Sequence, residues 1–363
     1  MEQDNPSLKI AFYGSSLVSA YWNGAATYYR GLVRALHERG HQVTFFEPDA
    51  YERQKHRDMP DPSWARVVVY PATEEGLAEV LDQARHFDVV VKASGVGVFD
   101  YELEKGVLEQ RQPRQLIIFW DVDAPATLAS MEQNPDNPFI GLVAEYDMVL
   151  TYGGGTPVVE AYQRLGARQC VPVYNALDPQ THHPVPPQEK FGRYGLVFMG
   201  NRLPDREERV KEFFLKAARL QTNTRFALGG SGWNASELPP NVDYIGHVYT
   251  DDHNALNSSP LAVLNISRDS MASNGFSPAT RVFEAAGAGA CLISDYWEGI
   301  AHFLEPGKEV LTARNGEEVA AHLHRLKPEE ARAIGQAARK RVMRDHSYSN
   351  RAAQVEALLM DHL

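Results

Sequence analysis

The chain has 363 residues and a formal net charge of −11, with 44% hydrophobic and 23% charged residues. That length accommodates two domains of ordinary size, each with its own core. The acidic balance argues against a nucleic-acid binder, which needs Lys and Arg concentrated against phosphate, but not against a small anionic ligand held by a few local arginines.

In chain order, short apolar runs alternate with helical stretches. Strands are expected over Leu8–Tyr13, Gln42–Glu47, Arg66–Tyr70, Asp88–Lys92, Gln115–Trp120, Met148–Tyr152 and Cys170–Tyr174. Between the first two, Ala26, Tyr29, Leu32, Val33 and Leu36 fall on one helical face, and Gly40 ends that helix. Repeated strand–helix–strand units imply a parallel sheet with helices on both faces. The segment Asp178-Pro-Gln-Thr-His-His-Pro-Val-Pro-Pro187 has no periodicity and reads as a linker.

The pattern then restarts. Strands are expected over Gly195–Met199, Arg225–Gly229, Asp243–Gly246, Leu261–Ile266, Ala290–Ser294 and Glu309–Thr312, with a helix over Asp205–Leu220 and a final helix from about Asn350. The domain division is therefore 1–178, a linker over 179–193, a second domain over 194–347, and a C-terminal helix over 348–363 that packs back towards the first domain. Two such sheets imply a cleft at the carboxyl ends of their strands. Cys170 and Cys291 sit in expected strands and read as small apolar core residues. No run is long and apolar enough to span a bilayer, the start Met1–Leu8 has no signal-peptide pattern, and there is no disulfide framework, so a cytoplasmic location is expected.

The most informative stretch is Asn274-Gly-Phe-Ser-Pro-Ala-Thr-Arg-Val-Phe-Glu-Ala-Ala-Gly-Ala-Gly289. It reads as a glycine loop followed by a helix, with Ser277 as cap and Pro278 as first helical residue. A helix start offers unpaired N–H groups and partial positive charge to a phosphate. Arg281 and Glu284 share one face, suited to a diphosphate and to ribose hydroxyls; the bland alternative is a surface ion pair.

These residues resemble the GT-B glycosyltransferases, most closely the CgeB-like (spore-maturation-type) proteins among the family-four-like transferases. In the first domain the resemblance rests on Tyr21-Trp-Asn-Gly-Ala-Ala-Thr-Tyr-Tyr-Arg30, Gly40-His-Gln-Val-Thr-Phe-Phe46 and Trp120-Asp-Val-Asp-Ala-Pro-Ala-Thr127. At the hinge it rests on Tyr174-Asn-Ala-Leu-Asp178; in the second domain, on Gly200-Asn-Arg202, Tyr244-Ile-Gly-His247 and the 274–289 stretch. It implies two Rossmann-like domains facing each other across a cleft, and transfer of a sugar from a nucleotide-sugar donor to an acceptor. Glu284 then matches the ribose-binding carboxylate, and Asn274, Gly275, Phe276 and Ser277 match the loop over the sugar and diphosphate. Many family-four members begin that loop with a second glutamate, where this chain has Asn274.

The leaving diphosphate needs cations or aligned amides. Arg202 and Arg281 are preferred for this, ahead of Arg268 and then Arg206. His247 follows the strand where such enzymes hold the nucleobase, though a lone histidine is more often simply packed. No metal site and no cofactor beyond the nucleotide-sugar co-substrate are expected; Asp251-Asp-His253 reads as a turn and helix cap. In the acceptor half, Asp121 is the first choice as base, with Asp123 either catalytic or a helix cap, and Asn23 and Gly24 are placed at an acceptor or phosphate loop. Gly153-Gly-Gly155 opens another helix but lacks the lysine of a P-loop. His182 and His183 are assigned no chemistry. The acceptor, whether glycan, protein or small molecule, is not legible. The competing readings are a sugar-nucleotide epimerase or a phosphorylase on the same fold, and a catalytically silent sugar- or nucleotide-binding scaffold.

Overall fold

The computed structural model describes residues 6–363. The chain divides into two compact units, one running up to Tyr174 and completed by Tyr348–Leu363, the other Asn175–Ser347.

The first unit is a seven-stranded, wholly parallel sheet in the order β3-β2-β1-β4-β5-β6-β7. Its strands are β1 Lys9–Tyr13, β2 Gln42–Asp49, β3 Arg66–Pro71, β4 Val89–Ala93, β5 Leu116–Asp121, β6 Met148–Thr151 and β7 Cys170–Pro172. The central strands are buried along their whole length, Val-Val-Val-Lys-Ala in β4 and Leu-Ile-Ile-Phe-Trp-Asp in β5. Continuous apolar runs of this kind mark strands covered on both faces. The helix Ala26–Glu38 buries Tyr28, Tyr29, Leu32, Val33 and Leu36 against the sheet. The Tyr28 hydroxyl donates to the Val173 carbonyl at 2.6 Å and accepts from the Trp120 indole at 3.0 Å, so this helix is keyed to β5 and to the residue that follows β7. The terminal helix Tyr348–Met360 packs on it, and Glu356 takes both Arg39 and His41, the latter at 3.1 Å.

The second unit is a six-stranded parallel sheet in the order β10-β9-β8-β11-β12-β13. Its strands are β8 Leu196–Met199, β9 Phe226–Gly229, β10 Val242–Gly246, β11 Ala262–Asn265, β12 Leu292–Asp295 and β13 Leu311–Ala313. Phe214, Phe226, Leu228, Leu264 and Ile293 form the centre of its core. The helical region expected over 205–220 spans Pro204–Leu220 and contains a π-helical turn at Lys211–Leu215.

Residues 179–193, proline-rich and read as a linker, belong to the second unit. They hold a short helix, Glu189–Gly192, and bury Phe191 and His182. Proline and histidine hide such packing from periodicity, because neither repeats at helical or strand spacing.

In both sheets the order reverses beside the first strand, between β1 and β4 and between β8 and β11. Loops diverge there at the carboxyl edge, leaving the crevice in which open α/β sheets bind ligands.

Candidate active site

At the switch point of the second sheet, β8 leads into Gly200–Arg202 and the helix Pro204–Val210, while β11 leads to Arg268 and on to the helix Thr280–Gly287. That helix starts later than the sequence suggests. Ala279, in extended backbone, is its N-cap, and no side chain caps it. Ser277 and Pro278 lie in the approach, where the Pro278 carbonyl accepts from Asn175 Nδ2 at 3.2 Å. The Ser277 hydroxyl is buried and has no hydrogen-bond partner among the described residues. The expected Ser-Pro start is corrected for this reason: the carbonyl of Pro278 is directed to Asn175, and the chain turns helical only afterwards.

Arg281 lies in the first turn and Glu284 one turn on. The Arg281 guanidinium rests over the Phe198 ring, 5.5 Å from its centroid, with no carboxylate at ion-pair distance among the described residues. Burial lowers its pKa to about 10; Glu284 opposes that shift and Arg206 adds to it. Arg206 is a second cation without a carboxylate at ion-pair distance among the described residues. Its Nε is buried and unpartnered, and a methyl group added at Gly200 would sit 2.8 Å from its Nη1. Burial lowers its pKa too, and repulsion from Arg268 lowers it further. Two half-buried arginines thus lie in one another's field beside an uncapped helix start. This is an arrangement that an anion would relieve.

The other two arginines differ. Arg202 donates to both oxygens of Glu207, at 2.9 and 2.7 Å, and lies 3.4 Å from Glu237. Arg268 is paired with Asp205 at 2.5 Å. The preference for Arg202 over Arg206 is therefore reversed: Glu207 in the next helix and Glu237 in the turn Ala235–Glu237 satisfy Arg202, whereas half-buried Arg206 has no carboxylate at ion-pair distance among the described residues.

Glu284 is partly exposed, its side chain at 20%, and its Oε1 lies 4.0 Å from Nε2 of the buried His182. His182, assigned no chemistry from the sequence, thus flanks this carboxylate. His253 accompanies them, its Nε2 3.1 Å from the Val248 carbonyl oxygen. Asn274 ends a short helix and donates to the Ser270 carbonyl at 2.9 Å. Gly275 and Phe276 then take positive φ, +65° and +43°, and the Phe276 N–H donates to the Glu298 carbonyl at 2.7 Å. The Phe276 ring fills the space where Gly299 would carry a side chain. His247 is exposed and meets the Tyr249 ring edge-on at 4.7 Å.

In the first unit, Asp121 ends β5 with no exposed surface. Its Oδ1 accepts from the Ser94 hydroxyl at 2.8 Å, the Thr127 hydroxyl at 2.9 Å and the Asp123 N–H at 3.0 Å, and its Oδ2 accepts from the Tyr162 hydroxyl. Burial raises its pKa while those donors hold it down. A carboxylate with no exposed surface and both oxygens already accepting internal hydrogen bonds fixes the loop after β5, and this argues against the choice of Asp121 as base. Asp123 is exposed and stands at the N-cap of the helix Ala124–Gln133 without making a side-chain cap. Asn23 is likewise internal to its loop: its Oδ1 accepts from Ser15 and its Nδ2 donates to the Ser16 and Ser19 carbonyls. Gly24 is exposed and faces open space.

Among the described residues no group of three or more His, Cys, Asp and Glu is placed to hold a metal ion, and no helix is long and apolar enough to cross a membrane. No curated protein sequence matches the chain. Solved structures match almost all of it. HepE (Alr3699) from Anabaena, described in complex with UDP and glucose, has a TM-score of 0.68 at 13% identity, covering 98% of this chain and 100% of that one. Sucrose-phosphate synthase from Thermosynechococcus elongatus has a TM-score of 0.68 at 16% identity, covering 97% and 98%. The β-glucosyltransferase of phage T4 has a TM-score of 0.59 at 12% identity, covering 98% and 99%. Residues 206–357 match the family model described as glycosyl transferase-like, and the paired parallel sheets are those of the GT-B fold.

Proposed function

We propose that the protein transfers a hexosyl group from a nucleotide-sugar donor to an acceptor hydroxyl. The observation that carries this reading is the pair of half-buried arginines, Arg281 and Arg206, without carboxylates at ion-pair distance among the described residues and beside an uncapped helix start, inside the segment that matches glycosyl transferase-like proteins. In transfer, the bond between the sugar's anomeric carbon and the diphosphate oxygen breaks, and its electron pair leaves with the nucleoside diphosphate. The acceptor oxygen bonds to that carbon and gives up its proton. The arginines and helix amides stabilise the charge growing on the diphosphate, Glu284 accepts from the ribose hydroxyls, and the 274–277 loop covers the sugar. Arginine cations supply the positive charge, so we propose that transfer needs no metal; unchanged rates in excess EDTA would bear this out. Asp123, exposed after β5, is our candidate to take the acceptor proton. The finer placement among CgeB-like transferases rests on the motifs at 21–30, 120–127 and 274–289.

Calorimetric titration with UDP, GDP, ADP and dTDP tests the reading, beginning with UDP because HepE is described with it. One nucleotide is expected to bind saturably and to bind about tenfold or more weakly in Arg281→Ala and Glu284→Ala. No binding by folded protein would overturn it. Turnover of the matching nucleotide-sugar to an isomer without acceptor would instead support the epimerase.

A further inference from the structure

At the amino edge of the first sheet, the end opposite the crevice at its carboxyl edge, there is a cavity of about 420 Å³. Lys9, Gln42 and Arg66 are the first residues of β1, β2 and β3, and all three line it. Pairing sets Lys9 beside Gln42 and Thr44 beside Arg66. Alternate residues of a strand share a face, so these four stand on one face of the sheet. His37, from the last turn of the helix Ala26–Glu38, and His86, from the turn before β4, complete the lining together with Trp64, which precedes β3.

The lining carries one sign of charge. Lys9 and Arg66 are exposed, and neither has a carboxylate at ion-pair distance among the described residues. His37 and His86 add two groups that can become cationic, and no Asp or Glu lines the cavity among the described residues. Asp88, on the same edge, accepts at Oδ2 from the Lys9 N–H at 2.7 Å and makes no pair with the Lys9 ammonium. His37 complements the negative end of its helix and needs no ligand to explain it. Lys9 and Arg66 stand at strand starts, where the net dipole is small and gives a cation no such partner. Like charges gathered in a concavity repel one another, and its walls focus their field on whatever enters. The volume falls among pockets that enclose small ligands, about 300–1,000 Å³.

We infer that this cavity binds a small phosphorylated ligand. Its two fixed cations suit a phosphate dianion or a diphosphate, whereas a monocarboxylate leaves one of them unanswered. Arg66 offers a planar fork of N–H donors that matches phosphate oxygens, and Lys9 offers a point charge. Gln42 and Thr44 are neutral donors for the remaining oxygens. Trp64 supplies an apolar wall and one N–H to a ring that carries the phosphate. A sugar phosphate and free pyrophosphate share this chemistry, and the test separates them. The assignment stands on the first unit alone and does not depend on the transferase reading.

The test uses the full chain labelled with 5-fluorotryptophan, in which the Trp64 fluorine resonance is assigned by its loss in Trp64→Phe. Pyrophosphate, glucose 6-phosphate and citrate are titrated separately at constant ionic strength, as are vesicles of phosphatidylglycerol. Pyrophosphate or glucose 6-phosphate is expected to shift the Trp64 resonance saturably. Its affinity should fall about tenfold in Arg66→Ala and in Lys9→Ala, stay within about threefold in Arg66→Lys, and be unchanged in Arg281→Ala. Both truncated side chains are exposed, so the variants are expected to fold as wild type does. Tighter binding of glucose 6-phosphate assigns the site to a ring-bearing phosphate, and tighter binding of pyrophosphate to a free diphosphate; either supports it. No saturable shift, unchanged affinity in Arg66→Ala and Lys9→Ala, citrate bound as tightly as either phosphate, or a response to the vesicles alone would each overturn it.

Discussion

The two switch points share a topology and differ in how they treat charge. At the first, Asp121 accepts from three hydroxyls and a backbone N–H, and Arg53 donates to three carbonyls, its Nε alone lacking a partner among the described residues. At the second, Arg281 and Arg206 are half-buried in one another's field with no carboxylate at ion-pair distance among the described residues. Satisfied buried ions hold a structure together, and uncompensated ones hold free energy in reserve for a ligand. Substitutions at the first edge should therefore damage stability, and those at the second should damage binding.

The largest expected effect is at Asp121. Asp121→Ala leaves buried hydroxyls of Ser94, Thr127 and Tyr162 without their acceptor and should cost about 3 kcal/mol or more, measured by urea unfolding. A loss below about 1 kcal/mol would break the comparison. Asp123→Asn, at an exposed position, should change stability by no more than about 0.5 kcal/mol while depressing transfer.

A pH effect of similar size is expected from Glu104, whose pKa burial raises from an ordinary 4.5 to about 7 although Lys92, 3.4 Å away, pulls it down. The folded state then holds a proton that the unfolded state releases. The stability it contributes is complete below pH 4.5 and is lost as pH rises through about 7. Unfolding measured across that window should show wild type losing about 3 kcal/mol relative to Glu104→Gln.

At the second edge, Arg281→Ala should weaken nucleotide binding by about 1.5–3 kcal/mol in calorimetry, yet leave the melting temperature of the free protein unchanged or higher, because repulsion from Arg206 is relieved. Binding loss together with a clear stability loss would show that Arg281 is structural. Arg202→Ala sharpens the contrast, since its charge is answered by Glu207 and Glu237: nucleotide affinity should move less than about twofold. The smallest effect belongs to Gly24→Ala, which meets open space and should shift stability by no more than about 0.5 kcal/mol.

Much of the fold is legible in the sequence because parallel strands are continuous apolar runs and their helices keep one face. Among the described residues all thirteen strands fall on expected runs, with no end displaced by more than two residues. Local turn chemistry was less reliable. Ser277-Pro278 has the composition of a helix start, but a tertiary hydrogen bond from Asn175 delays the helix to Thr280. The 179–193 segment looks like a linker, yet its apolar residues find cover in the second unit.

By itself the sequence determined the two Rossmann-like sheets, through period and punctuation, and the placing of Arg281 and Glu284 on one helical face, through a fixed helical repeat. Which charges are left unanswered was decided only by tertiary structure. Arg202 and Arg206 both follow β8, and nothing local distinguishes them; the glutamates that reach one and the burial that isolates the other depend on how helices pack. Asp121 and Asp123 are likewise two residues apart, and the end of a buried strand turns one inward to three hydroxyls while the other stays in solvent. Exposure is a property of the packed chain, so the residues free to meet a ligand emerge only when the sheets and helices are assembled.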